Sequence, residues 1–194
     1  GVGGLGVGAG ERLTGIGASL VGVGTGGHAT GLMVGGIGVG SGGRFRGIGI
    51  GGIGVGAGGG ATGLMIGGAG VGSGGDVTGV SIGGIGVGSG GTLRWVSVGG
   101  LGVGAPRIVG LAIGGAGIGA ERVTGIALAG GYLRVDDFTG VGTGLYTRVH
   151  GVQRGVTIGL VNRAHTLNGV QLGLINIARN GGIARVMPIV NVGR

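Results

Sequence analysis

The sequence predicts an all-β fold, a β-solenoid of about 11–12 coils of 14–16 residues. Three observations lead to this prediction. A phrase close to GGIGVG recurs every sixteen residues, aliphatic residues alternate with glycine at the period of a β-strand, and glycine pairs punctuate each copy. A fixed period of this length is typical of an array of small units that fold only by stacking on one another.

The repeat is marked by Thr or Arg followed by Gly at its start. Successive copies begin sixteen residues apart up to Arg94, fifteen apart up to Arg154 and fourteen apart after that. We therefore predict one repeat array over 1–182, with regular copies over about 30–108 and divergent copies over about 109–182. Residues 183–194 leave the pattern and are predicted to form a C-terminal cap, because an uncapped array exposes open strand edges.

Within one copy, the aliphatic residues change parity at a glycine pair. Ile48 and Ile50 share one parity, whereas Ile53 and Val55 share the other. We predict a turn at the intervening Gly-Gly step that brings all four side chains into one core. A second corner follows at segments such as 73–76, so each copy is expected to hold two strands of four or five residues.

A different arrangement fits the same pattern. If each Gly-Gly step is a two-residue hairpin turn, the copies form an antiparallel ring or barrel of hairpins. The solenoid is favoured because equivalent positions recur in step and a corner absorbs a one-residue change of period. A closed barrel would have to preserve its register through each such change.

Composition excludes several classes of protein. Glycine makes up 65 of 194 residues, but it recurs at every second position and only 2 prolines are present, which excludes collagen. Hydrophobic residues make up 42% of the chain and lie in phase, unlike those of a disordered linker. Without cysteine the chain has neither disulfides nor thiolate metal sites.

No pattern in the sequence indicates catalysis or a cofactor. Strings of the form G-x-G-x-x-G arise by chance in so glycine-rich a chain, and none lies between a strand and a helix. His28, His150 and His165 do not have metal-ligand spacing, and the lone pair Asp136-Asp137 is interpreted as a solvated turn. We predict a non-enzymatic protein without catalytic, cofactor-binding or metal-binding residues and without a cofactor.

Two sets of polar residues fall at repeated positions. Asn162, Asn176 and Asn191 are interpreted as a stacked-amide ladder. A second set would form a line of hydroxyls at about 4.8 Å spacing, interrupted by Arg46, and is interpreted mainly as corner capping. The members of this threonine column are Thr14, Thr30, Thr62, Thr78, Thr124 and Thr139.

The positions predicted to point outward are mostly glycine, which makes a face without side chains. A second sheet can approach such a face closely, so we predict a structural protein whose copies associate face to face into fibres or surface layers. Its expected partner is itself, as a homo-oligomer or filament. The glycines assigned to this association face are Gly38, Gly54, Gly70, Gly86 and Gly102.

The sequence is also compatible with other functions. The chain carries a net charge of +8, and residues 101–194 hold nine arginines against three acidic residues. A binding module is therefore an alternative, with ice bound through the threonine column or an acidic glycan or lipid bound through the C-terminal arginines. A membrane-associated β-barrel of hairpins is a third hypothesis. The sequence disfavours insertion into a membrane and carries no motif for specific nucleic-acid binding.

Two families resemble parts of the chain. RGVTIGLVN and NGVQLGLINIARN, within about 154–191, resemble bacterial glycine-rich surface-repeat proteins of the G-V-Q-L-G-L-x-N type, whose function is unassigned. TGVSIGGIGVGSGG at 78–91 is more weakly similar to the head repeats of trimeric autotransporter adhesins. These resemblances imply a parallel β-roll and an extracellular or cell-surface location.

Overall fold

The computed structural model describes residues 1–180 and 185–193. The chain divides into two compact units, Gly1–Gly100 and Leu101–Arg194. Residues 183, 184 and 194, which belong to the predicted C-terminal cap, lie outside the described residues. No helix long and apolar enough to cross a membrane occurs in the part of the chain that the structure describes.

The first unit consists of alternating longer and shorter strands, most of them joined by glycine-rich corners. The strands are β1 (Val2–Gly3), β2 (Gly6–Ala9), β3 (Arg12–Ser19), β4 (Gly22–Thr25), β5 (His28–Gly35), β6 (Gly38–Ser41), β7 (Phe45–Gly51), β8 (Gly54–Ala57), β9 (Ala61–Gly67), β10 (Gly70–Ser73), β11 (Val77–Gly83), β12 (Gly86–Ser89) and β13 (Thr92–Gly99).

The second unit has longer strands, because the chain remains extended through the corner that follows each short strand in the first unit. The strands are β14 (Gly102–Gly114), β15 (Gly117–Ala129), β16 (Tyr132–Thr143), β17 (Tyr146–Ile158), β18 (Val161–Ala178) and β19 (Val186–Gly193).

Pairing in both units is that of a β-solenoid. In the first unit each strand pairs in parallel with the strand one repeat later, so that Val55 of β8 lies beside Val71 of β10. In the second unit β14 to β18 also pair in parallel, in sequence order. The strands stack in about 11 turns, which confirms the predicted solenoid. The alternative, an antiparallel ring or barrel of hairpins, is wrong because equivalent strands run parallel.

The last strand reverses direction. β19 pairs antiparallel with β18, so that Gln171 lies opposite Asn191. The pairings described above within each unit are parallel, whereas this one is antiparallel. The carbonyl and amide groups of β19 occupy the edge of β18, which is one way to end a stack of parallel coils.

The core of each coil is thin and takes few side chains. In the coil around residue 50, Phe45 and Val55 point inward and are buried, at 1% and 3% exposure. Gly49 is also buried, whereas Ile48 and Ile50 on either side of it point outward. Ile53, at the corner, is 59% exposed, so the prediction that Ile48, Ile50, Ile53 and Val55 share one core is wrong for the three isoleucines.

A bend not predicted from the sequence explains how the coil closes. The glycine that follows Thr or Arg in most copies has a positive φ, for example 129° at Gly47 and 131° at Gly140. This left-handed conformation is readily adopted only by glycine. A Cβ at Gly47 would also collide with the carbonyl oxygen of Gly31 in the preceding coil. The coil thus has this bend in addition to the corner at the Gly-Gly step.

Candidate functional surfaces

The most prominent surface of the first unit is an outward row of aliphatic side chains, which we call the aliphatic face. Strands β5, β7, β9, β11 and β13 place these side chains in register from coil to coil. Several are well exposed for their type, with Ile48 at 41% and Ile82 at 39%. The aliphatic face comprises Leu32, Val34, Ile48, Ile50, Leu64, Ile66, Val80, Ile82, Val96 and Val98.

A column of corner residues continues this apolar surface. The amide of Ile53 donates to the carbonyl of Ile37 at 2.6 Å, and the amide of Ile85 donates to Ala69 at the same distance. These bonds stack the corners one over another. Ile37, Ile53 and Ile85 are each more than half exposed. Ile53, which the sequence analysis assigned to the core, is thus part of an apolar ridge beside the aliphatic face.

The second unit carries an apolar groove on the corresponding strands. The groove has a volume of about 630 Å³. Glycines at 130, 144, 159 and 173 line it together with apolar side chains. The larger side chains that line it are Leu145, Ile158, Leu160, Leu172, Leu174 and Ile189.

The outward glycines of the short strands in the first unit form a surface without side chains, which we call the glycine face. In β8 the outward residues are Gly54 and Gly56, and the residue between them, Val55, is buried. The same pattern gives outward columns Gly38–Gly54–Gly70–Gly86 and Gly40–Gly56–Gly72–Gly88. Gly102, the fifth predicted member of the association face, lies in the second unit, where it pairs with Gly117.

The two glycine columns differ in the space above them. A Cβ at Gly38, Gly54 or Gly70 would lie 3.3 Å from a carbonyl oxygen of the following coil. A Cβ at Gly40 or Gly72 would meet nothing within 4 Å. The second column is therefore open to substitution, whereas the first is crowded by backbone.

Both units contain part of the threonine column, but no more than two of its threonines lie side by side before an arginine takes the position. Thr14 lies beside Thr30, and Thr62 lies beside Thr78, with Arg46 between the two pairs. In the second unit Thr124 lies beside Thr139, which is followed by Arg154. Runs of two threonines separated by arginine do not form a continuous hydroxyl array.

At equivalent positions in several coils, a side chain accepts a hydrogen bond from the backbone amide of the next coil. The amide of Arg44 donates to Nδ1 of His28 at 3.0 Å, and the amide of Thr92 donates to Oδ1 of Asp76 at 2.7 Å. In the second unit Oδ1 of Asp137 accepts from the amide of Val152 at 3.1 Å. His28 and Asp137 therefore act in coil stacking, a role that sequence reasoning missed.

The pKa of the corner residue Asp76 is lowered by its surroundings. The hydrogen bond from the Thr92 amide lowers the pKa of Asp76, opposed by slight desolvation and reinforced by the positive charge of Arg94. The guanidinium Nη1 of Arg94 lies 3.2 Å from Oδ2 of Asp76, and both side chains are about half exposed. This ion pair joins neighbouring coils at the surface.

Amides form ladders inside the second unit. Nδ2 of Asn162 donates to Oδ1 of Asn176 at 2.8 Å, as predicted for these two residues. Asn191 lies elsewhere, opposite Gln171 in the antiparallel pair. A second ladder, not identified from the sequence, links Nε2 of Gln171 to Oε1 of Gln153 at 3.0 Å. These buried amide–amide hydrogen bonds link neighbouring coils.

No protein-family model, curated protein or solved structure matches the chain. Among the described residues, no three His, Asp or Glu side chains come together as the ligands of a metal ion would.

Proposed function

We propose that this chain is a non-enzymatic structural protein whose β-solenoid associates with copies of itself into fibres or layers. The observation that carries the proposal is the aliphatic face, an outward set of register-matched Leu, Ile and Val side chains. Exposed apolar surfaces of this extent commonly mark sites of association. The resemblance to bacterial surface-repeat proteins supports an extracellular or cell-surface location as part of the same proposal.

Burial of the aliphatic face contributes more free energy to association than burial of the glycine face. Full burial of an Ile side chain contributes about 1.5–3 kcal/mol, so an isoleucine that is 41% exposed, such as Ile48, retains roughly 0.6–1.2 kcal/mol to gain on contact. Bringing two molecules together costs about 4–15 kcal/mol, so the contact has to extend over several coils. The glycine face lacks side chains and contributes mainly by allowing close approach.

A second copy is the partner that fits this surface best. The side chains repeat once per coil at about 4.8 Å, and an identical solenoid presents ridges and grooves at the same interval. Two such faces interdigitate over any number of coils, as in stacked β-sheets with dry interfaces. The ten positions of the aliphatic face carry no charge that would oppose this contact.

The experiment compares two charged triple variants of the full chain by sedimentation velocity. In the first, Ile50→Lys, Ile66→Glu and Ile82→Lys place alternating charges in one column of the aliphatic face. In the matched control, Gly40→Lys, Gly56→Glu and Gly72→Lys place the same charges in the open glycine column. Alternating signs avoid repulsion between neighbouring coils. Circular dichroism checks that each variant keeps its β-structure.

We expect wild type and the glycine-column control to sediment as oligomers, and the aliphatic-face variant as a folded monomer. Loss of assembly only in the glycine-column variant would move the interface to the glycine face. A monomeric wild type, or assembly unaffected by both variants, would overturn the proposal of self-association through these faces.

A further inference from the structure

At two outward positions of the second unit, successive coils change from glycine to an aromatic or a basic residue. Gly117 is followed in register by Tyr132 and Tyr146 in the next coils. Two positions along, Gly119 is followed by Arg134, Arg148 and Arg163. The intervening residue of β16, Leu133, is fully buried, so the tyrosines and arginines point outward.

A second basic column lies beside the arginines. A shallow cleft of about 90 Å³ is lined by Arg148 and Arg163 together with His150, His165 and Arg179. These residues come from β17, β18 and the segment directly after β18. We call the surface formed by Arg134, Arg148, Arg163, His150, His165 and Arg179 the cationic face.

The positive charge of this face is largely uncompensated. Within residues 1–180 and 185–193, none of its four arginines forms an ion pair. Asp136 lies 3.2 Å from Nδ1 of His150, at the edge of the face. Asp137 is occupied by the Val152 amide and lies 3.7 Å from Arg122. The face therefore presents a row of guanidinium groups to solvent.

The tyrosines add a flat apolar surface next to the arginines. The rings of Tyr132 and Tyr146 stack with centroids 5.3 Å apart and planes 9° from parallel. In the coil before Tyr132 the register partner is Gly117, which has no side chain to cover the free side of the stack. Aromatic rings with an open side pack against the C–H faces of sugar rings and against other planar groups.

From this arrangement we infer that the cationic face and the tyrosine stack bind a linear acidic polysaccharide. Basic groups that recur every coil, at about 4.8 Å, match a polymer with one carboxylate per sugar, because this interval is close to the length of one pyranose ring. Phosphates of an extended nucleic-acid strand are farther apart than this. Guanidinium groups pair with carboxylates through two parallel hydrogen bonds.

This binding does not depend on self-association, because the residues involved lie on β16 to β18 and directly after β18, whereas the aliphatic face lies on β5, β7, β9, β11 and β13. Polygalacturonate serves as the probe, and neutral dextran controls for non-ionic binding. Calorimetric titration of the full chain is expected to show binding to polygalacturonate that weakens as salt increases, and no binding to dextran.

The test variant removes three charges from the arginine column, with Arg134→Gln, Arg148→Gln and Arg163→Gln. The matched control removes three charges from the first unit, with Arg12→Gln, Arg44→Gln and Arg46→Gln, where no tyrosine lies nearby. We expect at least about tenfold weaker binding for the test variant and less than about twofold for the control. Tyr132→Ala is expected to weaken binding about threefold or more with its charge unchanged.

Several results would overturn the inference. Equal losses for the test and control variants would indicate a general charge effect rather than a site. Tighter binding of single-stranded DNA or of anionic phospholipid vesicles than of polygalacturonate would assign the face to those ligands instead. If the triple variant does not fold, Arg163→Gln alone, at an exposed position, provides the measurement, and unchanged affinity of both this variant and Tyr132→Ala would refute the site.

Discussion

The ring of Phe45 occupies the space that a side chain at Gly49 would need. A Cβ built on Gly49 would lie 2.9 Å from Cζ of Phe45 and 3.0 Å from Cγ1 of Val55. Both Phe45 and Gly49 are buried, four residues apart in the same coil. The size of one side chain therefore limits the other.

The same exchange of volume recurs in other coils. In the coil that follows Phe45, the equivalent pair is Ala61 and Met65, both buried, so the small and large residues have changed places. In the second unit a Cβ on Gly142 would lie 2.9 Å from Cζ of Phe138. A narrow interior of nearly constant volume accounts for this pattern.

The volume exchange predicts strong coupling between positions 45 and 49. Phe45→Ala alone leaves a cavity and is expected to cost about 3–5 kcal/mol. Gly49→Met alone overfills the coil and is expected to cost about 1–3 kcal/mol or more. The double variant reproduces the Ala61/Met65 pair and should be more stable than Phe45→Ala. Urea denaturation followed by circular dichroism measures all three, and strictly additive costs would contradict the shared space.

Trp95 occupies a backbone position that other coils fill with glycine. Its φ is 85°, and its register partner in the preceding coil is Gly79, with φ 131°. The indole is 67% exposed, so it has little packing to lose. Because a left-handed conformation costs a non-glycine residue about 1–2 kcal/mol, Trp95→Gly should stabilise the protein by up to about 1 kcal/mol.

Trp95→Ala is the control for this prediction. Alanine removes the indole but keeps a Cβ, so the backbone strain persists and the melting temperature should not rise. A gain of stability in both variants would attribute the effect to the exposed ring rather than to the backbone.

The Asp76 contact predicts a specific dependence of stability on acid. The Thr92 amide and the Arg94 charge favour the ionised carboxylate, so the pKa of Asp76 is below its ordinary value of 3.8 in the folded chain. Its stabilising contribution is fully present above that ordinary value and disappears as pH falls through the lower, folded-state pKa. Asp76→Asn should remove this part of the acid dependence, measured by thermal melting between pH 2 and pH 6.

The size of the Asp76 effect is limited by exposure. Both partners of the ion pair are about half exposed, so solvent screens the charge interaction and the main loss should come from the hydrogen bond to Thr92. Asp136→Asn is a suitable control, since Asp136 also lies next to a basic side chain, His150. An acid dependence reduced equally by both substitutions would argue against a special role for Asp76.

The buried glutamines are expected to behave as a pair. Nε2 of Gln171 donates to Oε1 of Gln153, and Nε2 of Gln153 donates to Oγ1 of Thr157 at 3.0 Å. Gln171→Leu leaves the Gln153 carbonyl oxygen without this donor and should cost about 1–3 kcal/mol. Replacing both by Leu should cost less than the sum of the single changes. Full additivity in denaturant melts would contradict a coupled ladder.

The period of the sequence predicted the fold, but not which residues lie inside. Copies that repeat every 14–16 residues predict stacked parallel coils, because only stacking places equivalent residues side by side. Alternation of Ile48, Gly49 and Ile50 is compatible with either side facing inward. Hydrophobicity favoured the isoleucines, whereas the space taken by Phe45 leaves room only for glycine.

Part of the candidate surfaces could be predicted from the sequence. The column of outward glycines follows from the alternation once Val55 is assigned to the inside. The bend at Gly47 could have been predicted from a recurring pattern in the sequence, since most copies have glycine directly after Thr or Arg. The sequence pattern that indicates the cationic face is weaker: Arg134 and Arg148 each follow a tyrosine at the same spacing. Contacts such as Asp76 with Thr92 required the three-dimensional register.

The division between inside and outside can be tested at two neighbouring residues of one coil. Val55 is 3% exposed and lies in a column with Val39 and Val71, whereas Ile53 is 59% exposed at the corner. Val55→Asp buries a carboxylate with no partner and should cost about 4 kcal/mol or more. Ile53→Asp leaves its charge in water and should change stability by less than about 1 kcal/mol.

Urea denaturation at neutral and acidic pH distinguishes the two effects. Protonation removes the charge of a buried Asp, so Val55→Asp should recover stability relative to wild type as the pH is lowered, because an unpaired buried carboxyl has a raised pKa. Ile53→Asp should show no such recovery. Equal destabilisation by the two substitutions, with the same dependence on pH, would mean that Ile53 packs in the core and that the apolar ridge does not exist.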